Sequence, residues 1–232
     1  VTACSGLDVL CHGLESYTAL PFSHRTAPEN PGLRPSYQGS NPISDVWAMR
    51  AVEMVSKNIV RAVHDADDYE ARSQMLLAAT FAGVGFGNAG CHLPHGMSYP
   101  VSGRVREFVP AGYPEGQALV PHGMSVVLNA PAVFRFTAPA NPDRHLYAAR
   151  LMGADVEGAG PEDAGDLLAD AIVGLIRQID IPNGLEAVGY SSDDLDELVE
   201  GTLPQHRVVK LSPRPVGAPE LRQLFLDSLR LW

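Results

Sequence analysis

The sequence predicts an all-α fold, a helical bundle formed as one domain over residues 1–232 and interrupted by two long loops. Two observations carry that expectation. Apolar residues recur at helical spacing in most segments. No run shows the two-residue alternation of strands joined by tight turns, and no internal repeat is evident. The chain has 232 residues, 45% hydrophobic and 19% charged, enough to bury a sizeable core and too apolar for wholesale disorder.

The elements follow in order. Cys4 to Leu20 reads as a helix with a stripe of Leu7, Leu10, Cys11 and Leu14, and with Ser5 at its cap. Pro21 to Pro42 is irregular, with Pro28, Pro31, Pro35, Gly32 and Gly39 between its ends; so long a loop is either functional or a surface insertion. A helix resumes at Ser44, with Asp45 in its first turn and an amphipathic pattern from Val46 to Val63. Asp67 to Phe86 forms another, with Leu76, Leu77, Ala79, Phe81 and Ala82 expected inside. After a glycine-rich passage, a Pro/Gly loop runs from Pro100 to Pro121, and an apolar helix from His122 through Phe134. Shorter helices are expected at 142–152, 162–179, 192–203 and 218–231, two of them with acidic first turns suited to a helix N-terminus.

Charge and composition exclude several functions. A net charge of −10 argues against a surface that tracks phosphates, so nucleic acid is not an expected partner. No apolar run approaches the roughly 18 residues of a membrane span, and no signal-peptide pattern opens the chain. Cys4, Cys11 and Cys91 are an odd set that fits reduced thiols. With lysine confined to Lys57 and Lys210 among many arginines, this leads to the expectation of a cytoplasmic bacterial protein.

Three motifs carry chemistry. Asp8 and His12 sit one helical turn apart, where a carboxylate and an imidazole can reach one divalent cation or simply pair at the surface. Glu15 lies where it can orient a ligand or form a salt bridge. The other two motifs are Pro94-His95-Gly96-Met97 and Pro121-His122-Gly123-Met124, which place imidazoles at helix beginnings. One carboxylate and three imidazoles suit Fe²⁺ or Zn²⁺ and leave room for a substrate oxygen; buried core histidines are the plainer explanation. Gly85 to Gly90 matches G-x-G-x-x-G, but helix rather than strand precedes it, so the glycines read as close helix packing. Cys91, His92 and His95 lack the second pair of a zinc knuckle. His24, His64, His145 and His206 are expected at the surface.

Together Asp8-x₃-His12, Pro94-His95-Gly96-Met97 and Pro121-His122-Gly123 resemble the metal signature of the iron-dependent (group III) alcohol dehydrogenases. The segments 4–12, 34–42, 83–90 and 201–205 are similar to the hydroxyacid-oxoacid transhydrogenase branch. The resemblance implies that Asp8, His12, His95 and His122 bind the metal, Fe²⁺ with Zn²⁺ as the alternative. It also implies that this chain is the helical C-terminal domain, whose missing N-terminal α/β partner domain holds most of the NAD, and that the isolated chain binds NAD poorly. The implied reaction is NAD-linked hydride transfer from 4-hydroxybutyrate to a 2-oxoacid such as 2-oxoglutarate, in an enzyme that can be a homo-oligomer. Arg25 and Arg34 either attract the acid substrate or are simply solvated. Tyr99 stands where many members of the family carry a second histidine near the nicotinamide; a phenol does not exchange protons as imidazole does near neutral pH, but it can hydrogen-bond substrate or ribose. Two readings stay open beside this one: a general iron or zinc alcohol dehydrogenase acting on a neutral alcohol, and a non-catalytic helical metal-binding or interaction module.

Overall fold

The computed structural model describes residues 1–114 and 116–232. Among them there are eleven α-helices, several short 3₁₀ turns and no strand, only an isolated parallel bridge between Pro21 and Ser40. Among the described residues no single helix is long and apolar enough to cross a membrane.

Helix α1 (Thr2–Thr18) lies at the centre, packed against α2 (Pro42–His64) and α3 (Tyr69–Ala89). It begins before Cys4. The Ser5 amide already donates to the Val1 carbonyl at 3.0 Å, so Ser5 lies inside the helix and does not cap it. The α2 start is set by Asn41, whose side chain accepts from the amides of Ile43 and Ser44, with Pro42 in the first turn. Asp68 caps α3 through the Ala71 amide.

The buried face of α3 differs from the expected one. It consists of Ala71, Met75, Ala78, Ala82, Gly85 and Ala89. Ala82 was expected inside; Leu76 and Leu77 turn outward, 74% and 43% exposed, Ala79 is exposed and Phe81 half-buried. The reason is the closeness of α2. A Cβ on Gly85 would sit 3.1 Å from the Ala48 backbone nitrogen, so small residues fill that seam and large ones are displaced. Close packing thus accounts for Gly85, and for Gly90 against Tyr37 and Leu211, but Gly87 faces open space.

Helix α4 (Leu93–Gly103) leaves α3 at 105° and continues past Pro100, where a loop was expected. Burial of Pro100 and Val101 and a hydrogen bond from the Tyr190 hydroxyl to the Val101 carbonyl hold this last turn. The helix expected from His122 is broken. α5 (His122–Val127) stops before Asn129, and α6 (Ala130–Thr137) starts anew with Pro131, which has no amide proton for a continuous ladder. α7 (Pro142–Leu151), α8 (Ala164–Gln178), α9 (Leu195–Thr202), α10 (His206–Val209) and α11 (Ala218–Ser228) complete the bundle. Leu10, Leu14, Phe134, Ile172, Ile176, Leu221 and Phe225 belong to one continuous apolar core.

The 21–42 loop is pinned at its ends. Phe22 donates to the Ser40 carbonyl, Ser40 to Leu20, and the Gln38 and Gly39 amides to the carbonyls of Asn88 and Ala89 at the end of α3. His24, His64 and His206 are exposed as expected. His145 is not. It is fully buried, with Nε2 2.9 Å from the Thr137 hydroxyl and Nδ1 3.0 Å from the Asn141 carbonyl. Its polar neighbours in sequence hid the fact that α7 turns this face onto α6.

Candidate metal centre

Three elements meet around Asp8. Helix α1 presents Asp8 and His12 on one face, α4 brings His95 in its first turn, and α5 begins with His122. Asp8 Oδ1 lies 3.3 Å from His95 Nε2 and 3.5 Å from His122 Nε2, and Asp8 Oδ2 lies 3.8 Å from His12 Nδ1. Donor atoms of Asp8, His95 and His122 fall within 4.8 Å of one another. His12 is beside this group rather than in it; its donor atom clusters instead with Cys91 and His95, also within 4.8 Å. The His12 ring is stacked on Phe86, centroids 4.0 Å apart.

Local packing makes this convergence possible. A Cβ on Gly123 would overlap the Cys4 carbonyl and come within 2.9 Å of Asp8 Cβ. Only glycine lets α5 approach α1 closely enough to put His122 beside Asp8. Gly90 has φ of +91° where the chain turns from α3 toward α4, a conformation glycine adopts without strain.

Glu15 is fully buried one turn beyond His12. One carboxylate oxygen lies 2.6 Å from His95 Nδ1, and the other accepts the His92 amide at 2.7 Å. This fixes a proton on His95 Nδ1 and leaves Nε2 as the nitrogen that faces Asp8 and is open to a cation once deprotonated. Both Asp8 Oδ1 and His95 Nε2 are buried without a hydrogen-bond partner. Buried polar atoms are rarely left so, and a cation between them would satisfy both. A carboxylate with imidazoles is a donor set for Fe²⁺ or Zn²⁺, so the residues present fit a divalent ion.

The electrostatics follow from burial and close charges. Burial pushes the Asp8 carboxyl up, but His95, His12 and His122 prevail and hold it below the usual carboxylate range. Burial also works against the Glu15 carboxylate, yet His95 holds its pKa down. Burial would lower His95, but Glu15, Cys91 and Asp8 raise it well above the usual imidazole value. His12 is pushed down to about 4 by burial, with His95 adding to the effect.

Tyr99, one turn after His95 on α4, is 41% exposed. His92 is a core residue that meets the Thr18 hydroxyl at 2.9 Å. Sequence reasoning set Cys91 aside because no second Cys or His pair lay nearby in the chain. The neighbour it missed is His12, on a distant helix.

Comparison with known proteins places this geometry. The model of the Fe-containing alcohol dehydrogenase family, C-terminal part, matches residues 36–229. The chain is 54% identical over its whole length to a probable mitochondrial hydroxyacid-oxoacid transhydrogenase of Dictyostelium discoideum and to the mitochondrial hydroxyacid-oxoacid transhydrogenase of Rattus norvegicus, covering 43% and 50% of those proteins. It therefore spans about half the length of the curated relatives it matches. The crystal structure of a 1,3-propanediol oxidoreductase superposes on 97% of this chain and 51% of its own, with a TM-score of 0.80 and 26% identity. The mitochondrial names of these relatives correct the expectation of a cytoplasmic protein; free thiols mark a reducing environment, not one compartment. The chain belongs to the Fe-containing alcohol dehydrogenase family, matching its C-terminal, helical part.

Proposed function

We propose that this chain is the metal-holding half of an NAD-linked oxidoreductase acting on a hydroxyl group, with a hydroxyacid-oxoacid transhydrogenase reaction. The carrying observation is the pair of buried, unpartnered atoms Asp8 Oδ1 and His95 Nε2 at the meeting of α1, α4 and α5. In this reading Asp8, His95 and His122 hold a divalent ion, with His12 drawn in from the adjoining position. When bound, the ion supplies Lewis-acid polarisation of a substrate oxygen. Glu15 keeps the proton on His95 Nδ1 and so keeps Nε2 available. His122, 52% exposed on its side chain, leaves the centre open on one side to a substrate. Tyr99, one turn along α4 from His95, offers a hydroxyl for orienting substrate or ribose. The half of the relatives' length that this chain does not cover would hold the nicotinamide.

In the proposed reaction, 4-hydroxybutyrate loses a hydride from its carbinol carbon to NAD⁺ and the hydroxyl proton to solvent. NADH, still bound, returns the hydride to the carbonyl carbon of 2-oxoglutarate, whose oxygen takes up a proton. Full-length enzyme given 4-hydroxybutyrate deuterated at that carbon should deliver deuterium to the product 2-hydroxyacid, and chelator treatment should abolish the transfer. Free NADH accumulating without label transfer would favour a general alcohol dehydrogenase, a reading supported by the likeness to the 1,3-propanediol oxidoreductase. Metal binding with neither outcome would leave a non-catalytic module.

A further inference from the structure

Cys91 is buried at the foot of α4, 2% exposed, and it is not in a disulfide. Its sulfur, a His12 nitrogen and a His95 nitrogen are all within 4.8 Å of one another. The two triads around Asp8 and around Cys91 therefore share His95. They differ in chemistry and in access. The outer triad has a carboxylate and the largely exposed His122; the inner one has a thiol and is closed in by Phe86 stacked on His12. His95 Nδ1 is held by Glu15, so one nitrogen, the buried and unpartnered Nε2, remains to serve both.

We propose that Cys91, His12 and His95 form a second, inner cation site that captures a thiophilic divalent ion such as Zn²⁺ and, in doing so, takes His95 away from the outer position. Thiolate with imidazole is a preferred set for Zn²⁺, at Zn–S about 2.3 Å and Zn–N about 2.0–2.1 Å. The balance is simple. A metal–sulfur bond forms as the Cys91 S–H bond breaks, and the proton leaves to solvent. His12 and His95 bind as neutral imidazoles: the second proton of the charged His95 ring leaves Nε2 for solvent as that nitrogen binds, and His95 keeps its Nδ1 proton toward Glu15. No electron is transferred. Because one Nε2 lone pair serves one ion, and His12 too would be drawn into the outer centre, occupation of the inner site takes two of the outer centre's ligands. The chain thus discriminates between metals: an ion that prefers oxygen and nitrogen stays outside, where a substrate can reach it, and one that prefers sulfur is buried where none can. That competition rests on the proposed outer centre; the inner site itself does not.

The test uses the full-length protein stripped of metal and titrated with Co²⁺, which reports thiolate ligation by a near-ultraviolet charge-transfer band. The wild type should show the band, and added Zn²⁺ should bleach it. Cys91→Ser and His12→Ala should lose it, while His122→Ala, Cys4→Ser and Cys11→Ser keep it. Circular dichroism checks that each variant is folded, and Cys91→Ala serves should the serine variant fail. Absence of the band in wild type at saturating Co²⁺, or its survival in Cys91→Ser, Cys91→Ala or His12→Ala, overturns the proposal. The outer reading fails separately: if it is wrong, His122→Ala leaves hydride transfer unchanged whatever happens to the band.

Discussion

Glu15 and His95 are joined by a 2.6 Å contact between a fully buried carboxylate and the Nδ1 of a buried imidazole. The same carboxylate receives the His92 amide through its other oxygen. Glutamine at position 15 keeps both contacts only by donating its NH2 to a deprotonated His95 Nδ1, which moves the ring proton to Nε2, the nitrogen facing Asp8. Glu15→Gln is expected to lower stability by about 1–3 kcal/mol and metal affinity by roughly 10–100-fold. His95 should also titrate lower, since Glu15 is the first of the groups that raise it. Metal titration and the NMR titration of His95 in the metal-free protein measure both. An unchanged affinity would remove the orienting role of Glu15.

How much of this was legible in the sequence depends on whether the signal was local. Asp8 and His12 share one helical turn, and His95 and His122 each open a helix behind a proline, so the ligand candidates could be named from their motifs. The α-helical architecture was legible for the same reason, from apolar spacing. What depended on approach between helices was not. The α3 stripe of Ala71, Ala78, Ala82 and Gly85 is buried because α2 comes close, while Leu76 looks better suited to a core and is outside. His145 is buried because α7 packs near α6, which nothing in Pro-Asp-Arg-His announces. Cys91 meets His12 only through the 105° bend between α3 and α4.

Acid should destabilise the fold in a defined window. Burial depresses both His92 and His145 from 6.5 to about 4. Each is neutral in the folded protein and binds its proton more readily when unfolded. Their contribution is therefore complete above pH 6.5 and is lost as pH falls toward about 4, up to about 3 kcal/mol each at 1.36 kcal/mol per pH unit. His95 has the opposite shift, and its contribution is fully present below 6.5, so it offsets none of the loss within this window. Melting temperatures should fall steadily from pH 6.5 to 4, and less steeply in His145→Gln. Parallel curves for the two proteins would contradict the burial argument.

Tyr99→Phe isolates one hydroxyl. The side chain is 41% exposed, so removing its oxygen leaves no cavity and should barely change stability. If the hydroxyl orients substrate or ribose, kcat/KM in the full-length enzyme should fall by an amount corresponding to about 0.5–1.5 kcal/mol, with metal content unchanged. Wild-type kinetics in the variant would assign Tyr99 to packing alone.

Gly123→Ala tests whether the metal centre depends on the closeness of two helices. The new Cβ would meet the Cys4 carbonyl carbon at 2.8 Å and Asp8 Cβ at 2.9 Å. Backbone stands on one side, so the strain cannot be relieved by rotating a side chain; α5 has to move away from α1. Overpacking of this kind costs about 1–3 kcal/mol. Because His122 is the first residue of α5, the movement also widens its 3.5 Å separation from Asp8. Metal affinity should therefore fall together with stability. The control is Gly174→Ala on α8, where a Cβ meets nothing within 4 Å. There the same substitution should stabilise by roughly 0.5–1 kcal/mol and leave metal binding alone. Chemical denaturation and metal titration of both variants separate the two effects. Wild-type stability and metal content in Gly123→Ala would show that α5 has room to spare and that His122 is not held at Asp8 by that contact.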